Sequence, residues 1–399
     1  MKPSKSSFGI FCLGCPQNEY DAKKISRELI KLGLKNTLIQ DAKNIIVLSC
    51  SVRQSAVDRI WGKLNLWTKD SKRIFILGCV LPIDQKRFRQ KYPELRIYQT
   101  EVFIRQIPKL FKTSPKIPPF TKCTSLGKDF ENKRRYVKYP ENHGYVPIQT
   151  GCDNFCAYCA VPYTRGREKS RPSCQIIQEI KSLIKQKKNY ITLLGQNVNS
   201  YGLSKKEKMQ NIKAVQNLIK DKNLLFEEQK KIIENTTPKF AELLWEIEKI
   251  KDLKKLDFLS PNPQDMTQDV INWMAQTKIF SKKINLPLQS GSDKILKKMN
   301  RRYSAAQYLK LARKIKKAVP DIDLTTDIIV GFPGETQADF EKTFKLCQKI
   351  GFRQIYIGKY SARPATVAQK FFKDNVSWEE KKRRWERLNE LVKNQFPTR

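Results

Sequence analysis

Cys152, Cys156 and Cys159 stand in the run GCDNFCAYCAVPYTRGRE with C-x3-C-x2-C spacing. Three thiolates from one short loop can hold three irons of a 4Fe–4S cube. The fourth iron then has no protein ligand and stays open to a small molecule, an arrangement for catalysis rather than simple electron relay. No further Cys follows at ferredoxin-like spacing: Cys174 lies fifteen residues beyond Cys159, in a helical segment, and is expected to be a core thiol. A structural zinc knuckle needs a fourth ligand, and no nearby His is available. The chain has one histidine, His143, which nearly excludes mixed Cys/His zinc sites and His-based acid–base catalysis. Thiolate-only ligation favours iron–sulfur clusters or zinc.

A second trio emerges from periodicity. Cys15, Cys50 and Cys79 each end a predicted parallel strand, 35 and 29 positions apart. The carboxyl ends of strands line one edge of an open α/β sheet, where ligands bind, so the three would converge and could hold a second cluster with one open iron. Three small hydrophobes buried at strand ends are the alternative, and the first motif tips the balance towards a cluster. Cys12 competes with Cys15 in CLGC, but it lies within the strand, so Cys15 is preferred. Cys123 and Cys347 are assigned no role.

The elements that must position these thiols follow from the hydrophobic pattern. Residues 1–115 alternate strand-like runs (SFGIFCLG, NIIVLSC, RIFILGC and a weaker LRIYQT) with helical ones (18–32, 53–69 and VFIRQIPKLF), which reads as an N-terminal open parallel α/β sheet domain. Residues 116–142 carry prolines and lysines without periodicity and read as a linker. From 143 to 370 come six strand candidates: YVPIQT, ITLLGQN, KLDFLS, INLPLQ, DLTTDIIVGF and RQIYIGKYS. Helical segments over 172–187, 239–250, 265–278, 293–317 and 336–349 separate them. Successive βα units of this number fit an incomplete (βα)6 barrel, and the first cysteine loop follows its first strand, on the face where barrels place chemistry. Residues 203–236 form a charged, helix-prone insertion, read as a solvated helical pair. Residues 371–399 hold a last helix from 378 to 393.

Lys and Arg number 78 against 39 Asp and Glu, a formal net charge of +39. Such a field concentrates polyanions, and nucleic acid is the expected partner; a lysine-rich proteome is the bland alternative. No apolar stretch reaches the roughly 20 residues of a membrane span, and the N-terminus lacks a signal-peptide core. The expected location is cytoplasmic, where ten cysteines are thiols, ligands or nucleophiles rather than disulfides.

Taken together, the C-x3-C-x2-C loop and the segments GCPQNEYDA, LSCSVRQSA and LGCVLP resemble the radical-SAM methylthiotransferases from about Phe8 to Val392, the linker and the 203–236 insertion excepted. PYTRGRE (162–168), LLGQNVNSYG (193–202), NLPLQSGS, TTDIIVGFPGET and YSARPAT are most similar to the tRNA branch, which modifies isopentenyladenosine beside the anticodon. The resemblance implies two 4Fe–4S clusters and S-adenosylmethionine (SAM). It implies reductive SAM cleavage at Cys152/Cys156/Cys159, hydrogen abstraction at carbon two of the adenine, and transfer of a methylated sulfur from the second cluster. It implies as partners the tRNA anticodon loop, an electron donor such as flavodoxin or ferredoxin, and an iron–sulfur assembly or sulfur carrier protein. A target base must be unstacked to reach a barrel mouth.

Gln196, Asn197, Gln289, Ser290, Thr326 and Asp327 sit at strand ends as candidate contacts to SAM or substrate, or equally as caps and turn formers. Arg165 and Arg167 are candidates for RNA phosphate, or for pairing with acids. GFPGET lacks the P-loop Lys and reads as a tight turn. Asn285 stands where the family commonly has His, Asn262 where Ser-His-Pro is usual, and Ala365 where Gly is common. The family's small C-terminal RNA-binding β-barrel is expected to be absent, since the chain stops at Arg399. Substrates such as threonylcarbamoyladenosine tRNA or a ribosomal protein, and a non-catalytic iron–sulfur RNA-binding role, remain as alternatives.

Overall fold

The computed structural model describes residues 7–50, 54–70, 72–111, 140–202 and 239–395. Most of the expected linker, with Cys123, and the whole 203–236 insertion lie outside the described residues. The chain divides into two compact units. The first takes in residues up to 111 with two short later segments, Tyr163–Arg165 and Arg363–Ala365; the second takes in the rest from Pro140.

The first unit is a five-stranded parallel sheet. Its strands are β1 (Ser7–Cys12), β2 (Lys35–Asn36), β3 (Asn44–Cys50), β4 (Arg73–Cys79) and β5 (Arg96–Ile97), in the order β2-β1-β3-β4-β5. Helices α1 (Pro16–Lys31) and α4 (Thr100–Leu110) cover one face, and α2 (Gln54–Trp67) and α3 (Pro82–Lys91) the other. Alternation in β3 shows how both faces are filled. Ile46 and Leu48 pack with Ile25, Leu29 and Phe103, while Ile45 and Val47 pack with Ile60, Leu64 and Phe88. A strand buried on both sides must be apolar throughout, which is why NIIVLSC carries no alternating polar face. The sequence pattern missed α3 and the two-residue edge strand β2. In PIDQKRFRQK only Asp84 and Phe88 are buried, so the helix carries almost no apolar stripe; Pro82 in its first turn was its one local signal.

The second unit has the six expected strands, hydrogen-bonded as two parallel sheets of three. β6 (His143–Pro147), β9 (Tyr190–Leu194) and β10 (Lys255–Phe258) run in the order β10-β9-β6. β11 (Lys283–Asn285), β12 (Asp323–Val330) and β13 (Gln354–Lys359) form the other sheet. A short antiparallel pair, β7 (Gln149–Thr150) with β8 (Lys169–Ser170), flanks the cysteine loop. The helices are α5 (Val161–Arg165), α6 (Ser173–Lys185), α7 (Phe240–Glu248), α8 (Gln268–Gln276), α9 (Asp293–Lys298), α10 (Ala305–Ala318), α11 (Gln337–Ile350), α12 (Val367–Phe371) and α13 (Trp378–Gln395). One apolar core takes residues from both sheets, among them Leu193, Leu256, Ile284 and Ile328.

Two expectations for this unit are corrected. The helix expected over 293–317 is broken. Asn300 adopts a left-handed φ of 58°, and a new helix starts at the Ser304/Gln307 capping box, where Ser304 N donates to Gln307 Oε1 (2.8 Å) and Gln307 N to Ser304 Oγ (3.1 Å). Cys174 is exposed rather than a core thiol, because α6 buries Ile176, Ile180 and Leu183 and position 174 falls off that stripe. Among the described residues no helix is long and apolar enough to cross a membrane.

Candidate metal centres

In the second unit the chain leaves β7 at Gly151, whose φ is 78°. A Cβ there would come within 2.1 Å of the Arg167 carbonyl oxygen, so glycine is required for the turn that starts the loop. Gly151 N donates to Gln196 Oε1 (2.6 Å), which ties the loop to the end of β9. Cys152 N donates to Gly166 O (3.2 Å) and Cys159 N to Cys156 O (2.9 Å), and Phe155 takes a left-handed φ of 46°. The result is a tight coil with the three cysteines on it.

Each of the three sulfurs accepts from a nitrogen donor. Asn154 Nδ2 donates to Cys152 Sγ, Arg301 Nη1 to Cys156 Sγ and Val161 N to Cys159 Sγ, each at 3.5 Å. Sulfur accepts weakly as a thiol and well as a thiolate, so one donor per sulfur is a surrounding that suits metal-bound thiolates. Burial pushes the Cys152 thiol up to about 11, so a metal bound there must displace that proton at neutral pH. No three His, Cys, Asp or Glu among the described residues lie close enough to hold a single metal ion. The donor set on the loop is all sulfur, which fits a 4Fe–4S cube with one thiolate per iron.

The break between α9 and α10 braces this loop. Ala157 N donates to Met299 O (2.9 Å), and Asn300 Nδ2 donates to the carbonyls of Asn154 and Phe155 (3.0 Å each). Arg301 also reaches Asn262 Oδ1 (3.2 Å), Pro287 O (3.3 Å) and Tyr303 Oη (2.9 Å). Sequence reasoning missed Met299, Asn300 and Arg301, because nothing local in KKMNRRYS distinguishes them from a helix interior.

The candidate polar contacts separate into two groups. Ser290 and Thr326 are fully buried and engaged in the fold. Ser290 Oγ accepts from Ser292 N (3.2 Å), and Thr326 Oγ1 accepts from Leu288 N and donates to Leu286 O (2.9 Å each). Gln289 differs: its φ is 69° and its side-chain oxygen is buried without a hydrogen-bond partner. Backbone strain combined with an unmet acceptor marks a ligand contact. Asn197 also has an unmet side-chain oxygen, while its Nδ2 donates to Asp265 Oδ2 (2.8 Å). Asp327 Oδ2 accepts from Asn285 Nδ2 (2.7 Å), so Asn285 supplies a hydrogen bond where the family commonly has His. Asn262, a second departure, accepts from Arg301 and Gln264 N. Arg167 is exposed, pairs with Asp153 (3.2 Å) and lies 5.1 Å from the Phe155 ring.

In the first unit the strand order places a topological switch between β1 and β3, where loops diverge and leave a crevice at the carboxyl ends. Cys15 caps the start of α1 just after β1, and Cys50 and Cys79 are register partners at the ends of β3 and β4. Gly14, with φ 129°, allows the first turn to approach Cys50: a Cβ on it would fall 2.9 Å from the Cys50 Cβ. Asn18, fully buried, ties the turn together. Its Nδ2 donates to Leu13 O (2.7 Å) and Ser49 O (2.9 Å), joining the segment before Cys15 to the one before Cys50. Cys12 packs instead with the apolar core.

Arg165 belongs to this unit and is not open to solvent, where a phosphate would approach. Its Nε donates to Cys79 Sγ (3.0 Å), its Nη2 to Asn18 Oδ1 (2.9 Å), and it lies 3.7 Å from Asp21. Burial alone would lower its guanidinium, but Cys79, Asp21 and Cys15 outweigh burial and hold it above its ordinary value. The pairing with an acid, rather than with RNA phosphate, is what the geometry contains.

Residues 146–347 match the Radical SAM superfamily, and residues 7–99 match a family described as Uncharacterized protein family UPF0004. The tRNA-2-methylthio-N(6)-dimethylallyladenosine synthase of Finegoldia magna is 36% identical over 97% of this chain and 79% of its own length. Those of Clostridium beijerinckii (34%) and Thermotoga petrophila (32%) match over 97% of this chain and 81% of theirs. Among solved structures, the cobalamin-dependent S-adenosylmethionine radical enzyme OxsB matches with TM-score 0.52 at 11% identity, over 97% of this chain and 56% of that one. The radical S-adenosylmethionine methyltransferase TsrM of Kitasatospora setae matches with TM-score 0.53 at 12% identity, over 91% of this chain and 77% of that one. At these identities the two structures establish shared fold alone.

Proposed function

This chain belongs to the radical-SAM methylthiotransferases of the tRNA-2-methylthio-N(6)-dimethylallyladenosine synthase family, and from that premise we propose that Cys152, Cys156 and Cys159 hold its SAM-cleaving cluster and Cys15, Cys50 and Cys79 its second one. The enzyme uses SAM and 4Fe–4S clusters and acts on tRNA. The observation that carries the assignment of residues is the one nitrogen donor aimed at each sulfur of the loop. A second support is the placing of the other trio at the β1/β3 switch edge.

When bound, the clusters supply the electron that opens SAM and the sulfur that enters the base. The chain's own residues bind and orient. Gln289 and Asn197 offer unmet side-chain oxygens to N–H groups of SAM or the nucleoside. Asn285 holds Asp327 in one orientation, so that its carboxylate is presented rather than free to rotate. Arg167, exposed beside the loop, meets backbone phosphate of the anticodon stem-loop, and the +39 charge draws the tRNA in. The base must be turned out of its stack to reach a partly buried cysteine loop. A flavodoxin or ferredoxin as electron source, a sulfur carrier or cluster-assembly protein, and a cytoplasmic setting complete the proposal.

The test is nucleoside mass spectrometry after anaerobic incubation of the reconstituted protein with SAM, a low-potential reductant and tRNA bearing isopentenyladenosine. The reading predicts gain of one sulfur and one methyl on that nucleoside. An unchanged nucleoside, with modification appearing on threonylcarbamoyladenosine tRNA or on a ribosomal protein instead, would replace the substrate. SAM left intact under reduction would remove the enzyme reading of these sites.

A further inference from the structure

We propose that Arg301 is a positioning residue of the Cys152/Cys156/Cys159 centre, which fixes the Cys156 sulfur by hydrogen bond and eases reduction of the cluster by its charge. The inference rests on reading this loop as cluster-binding.

The first support is immobility. The guanidinium is held by groups from three places: Asn262 beyond the end of β10, Pro287 beyond β11, and Tyr303, over whose ring it lies at 5.0 Å. Tyr303 Oη is itself held by the Pro287 and Leu288 carbonyls at 3.0 Å each. With Nε and Nη2 fixed in this way, Nη1 has one direction left, and it points at Cys156 Sγ. A planar fork fixed on two sides delivers its remaining donor with little freedom to lose.

The second support is charge. Arg301 is partly buried, yet no carboxylate among the described residues forms an ion pair with it. Two other arginines near cysteines, the partly buried Arg165 and the buried Arg363, have Asp21 and Asp84. A cation withdrawn from water needs an anion. The sulfur of Cys156 is the group at hand, and a thiolate-ligated cluster carries negative charge that grows by one on reduction. A fixed positive charge and a hydrogen bond to a cluster sulfur both raise the reduction potential.

The third support is the backbone. Continuing α9 into α10 would carry residue 301 on a regular helix face. The chain instead breaks there, with Asn300 in a left-handed conformation, and the break brings both Asn300 and Arg301 to the cysteine loop. Strain at a place that touches a cofactor loop is spent on position.

The experiment uses the full chain carrying Cys15→Ala/Cys50→Ala/Cys79→Ala, so that one cluster is read, reconstituted anaerobically without SAM. Iron is counted and the midpoint potential is taken by EPR-monitored redox titration. Arg301→Gln is expected to keep its iron and shift to a more negative potential, and Arg301→Lys to shift less in the same direction. Arg302→Gln, which removes the same charge from the exposed neighbouring residue, is expected to leave the potential in place, because solvent screens it. Full iron with an unchanged potential in Arg301→Gln overturns the proposal. If Arg301→Gln loses its iron, the Lys variant decides, and an unchanged potential there overturns it equally. A parent protein that takes up no iron fails the cluster reading itself, a different result from either.

Discussion

Arg165→Met separates two accounts of one residue. In the structure Arg165 and Asp21 are both nearly buried, with side-chain exposures of 11% and 10%. Removing one partner of a buried pair leaves an uncompensated charge, a loss of about 3–5 kcal/mol in well-formed pairs. The 3.7 Å separation is loose and Gln17 also donates to Asp21 (3.0 Å), which places the pair at the low end. Asn18 Oδ1 and Cys79 Sγ lose their donor as well. These losses share partners and do not add, so about 3 kcal/mol is expected for the whole. Burial raises the Asp21 carboxyl above its ordinary value, with Arg165 opposing. The native state therefore holds that proton more tightly than the unfolded chain, and the Asp21 contribution to stability falls as pH rises. Without Arg165 the carboxyl rises further, so the deficit of the variant is largest near neutral pH and shrinks in acid. The assay is thermal unfolding of the full chain at pH 7 and pH 4, with iron counted in a Cys152→Ala/Cys156→Ala/Cys159→Ala background. Adding Asp21→Asn should recover part of the loss. Unchanged unfolding and iron, together with weaker and salt-sensitive tRNA binding, would refute the reasoning and return Arg165 to a phosphate contact.

Other perturbations have clear directions. Burial alone would raise the Asp339 carboxyl, but hydrogen bonds from Ser292, Thr336 and Lys294 hold it down from 3.8 to about 2. It thus contributes about 2 kcal/mol that is present above pH ~4 and lost as pH falls towards 2; Asp339→Asn should lose that amount at pH 7 and much of its acid sensitivity in a denaturant series. Ala365 has φ 68°, the region where glycine is at ease and alanine costs about 1 kcal/mol. Ala365→Gly should raise the melting temperature by a degree or two, since the glycine's extra unfolded-state entropy cancels part of the gain. Gly14→Ala would set a methyl 2.9 Å from the Cys50 Cβ and 2.8 Å from Asn18 Nδ2 at φ 129°; iron should be lost from the first unit while the Cys152 centre stays loaded.

The sequence made some of this legible for physical reasons. Strands buried on both faces must be apolar, so β1, β3 and β4 were visible as runs, and a Cys or a Cys-bearing turn at each end followed from counting. The loop spacing of Cys152, Cys156 and Cys159 is local and needed no fold. What escaped depends on distance along the chain. Arg301 reaches Cys156 across 145 positions, and Arg165 reaches Cys79 across 86. No periodicity encodes such contacts, and both residues sit in runs of basic side chains that look solvated. The helix break at Asn300 was hidden because AAQYLKLARKIKK and DKILKK both propagate helix well, and only the Ser304/Gln307 pair signals a restart. Ala365 shows the reverse case: the departure from glycine was noticed in sequence, and the structure supplies its cost as a positive φ.

Two three-thiolate centres in one chain are the core of the account, and iron and sulfide counting on three proteins tests it directly. The wild type, reconstituted anaerobically, should hold about eight irons, two cubes of Cys-ligated 4Fe–4S type. Each triple variant, Cys152→Ala/Cys156→Ala/Cys159→Ala or Cys15→Ala/Cys50→Ala/Cys79→Ala, should fall to about four. About four irons in the wild type, abolished by the first variant and untouched by the second, would contradict it.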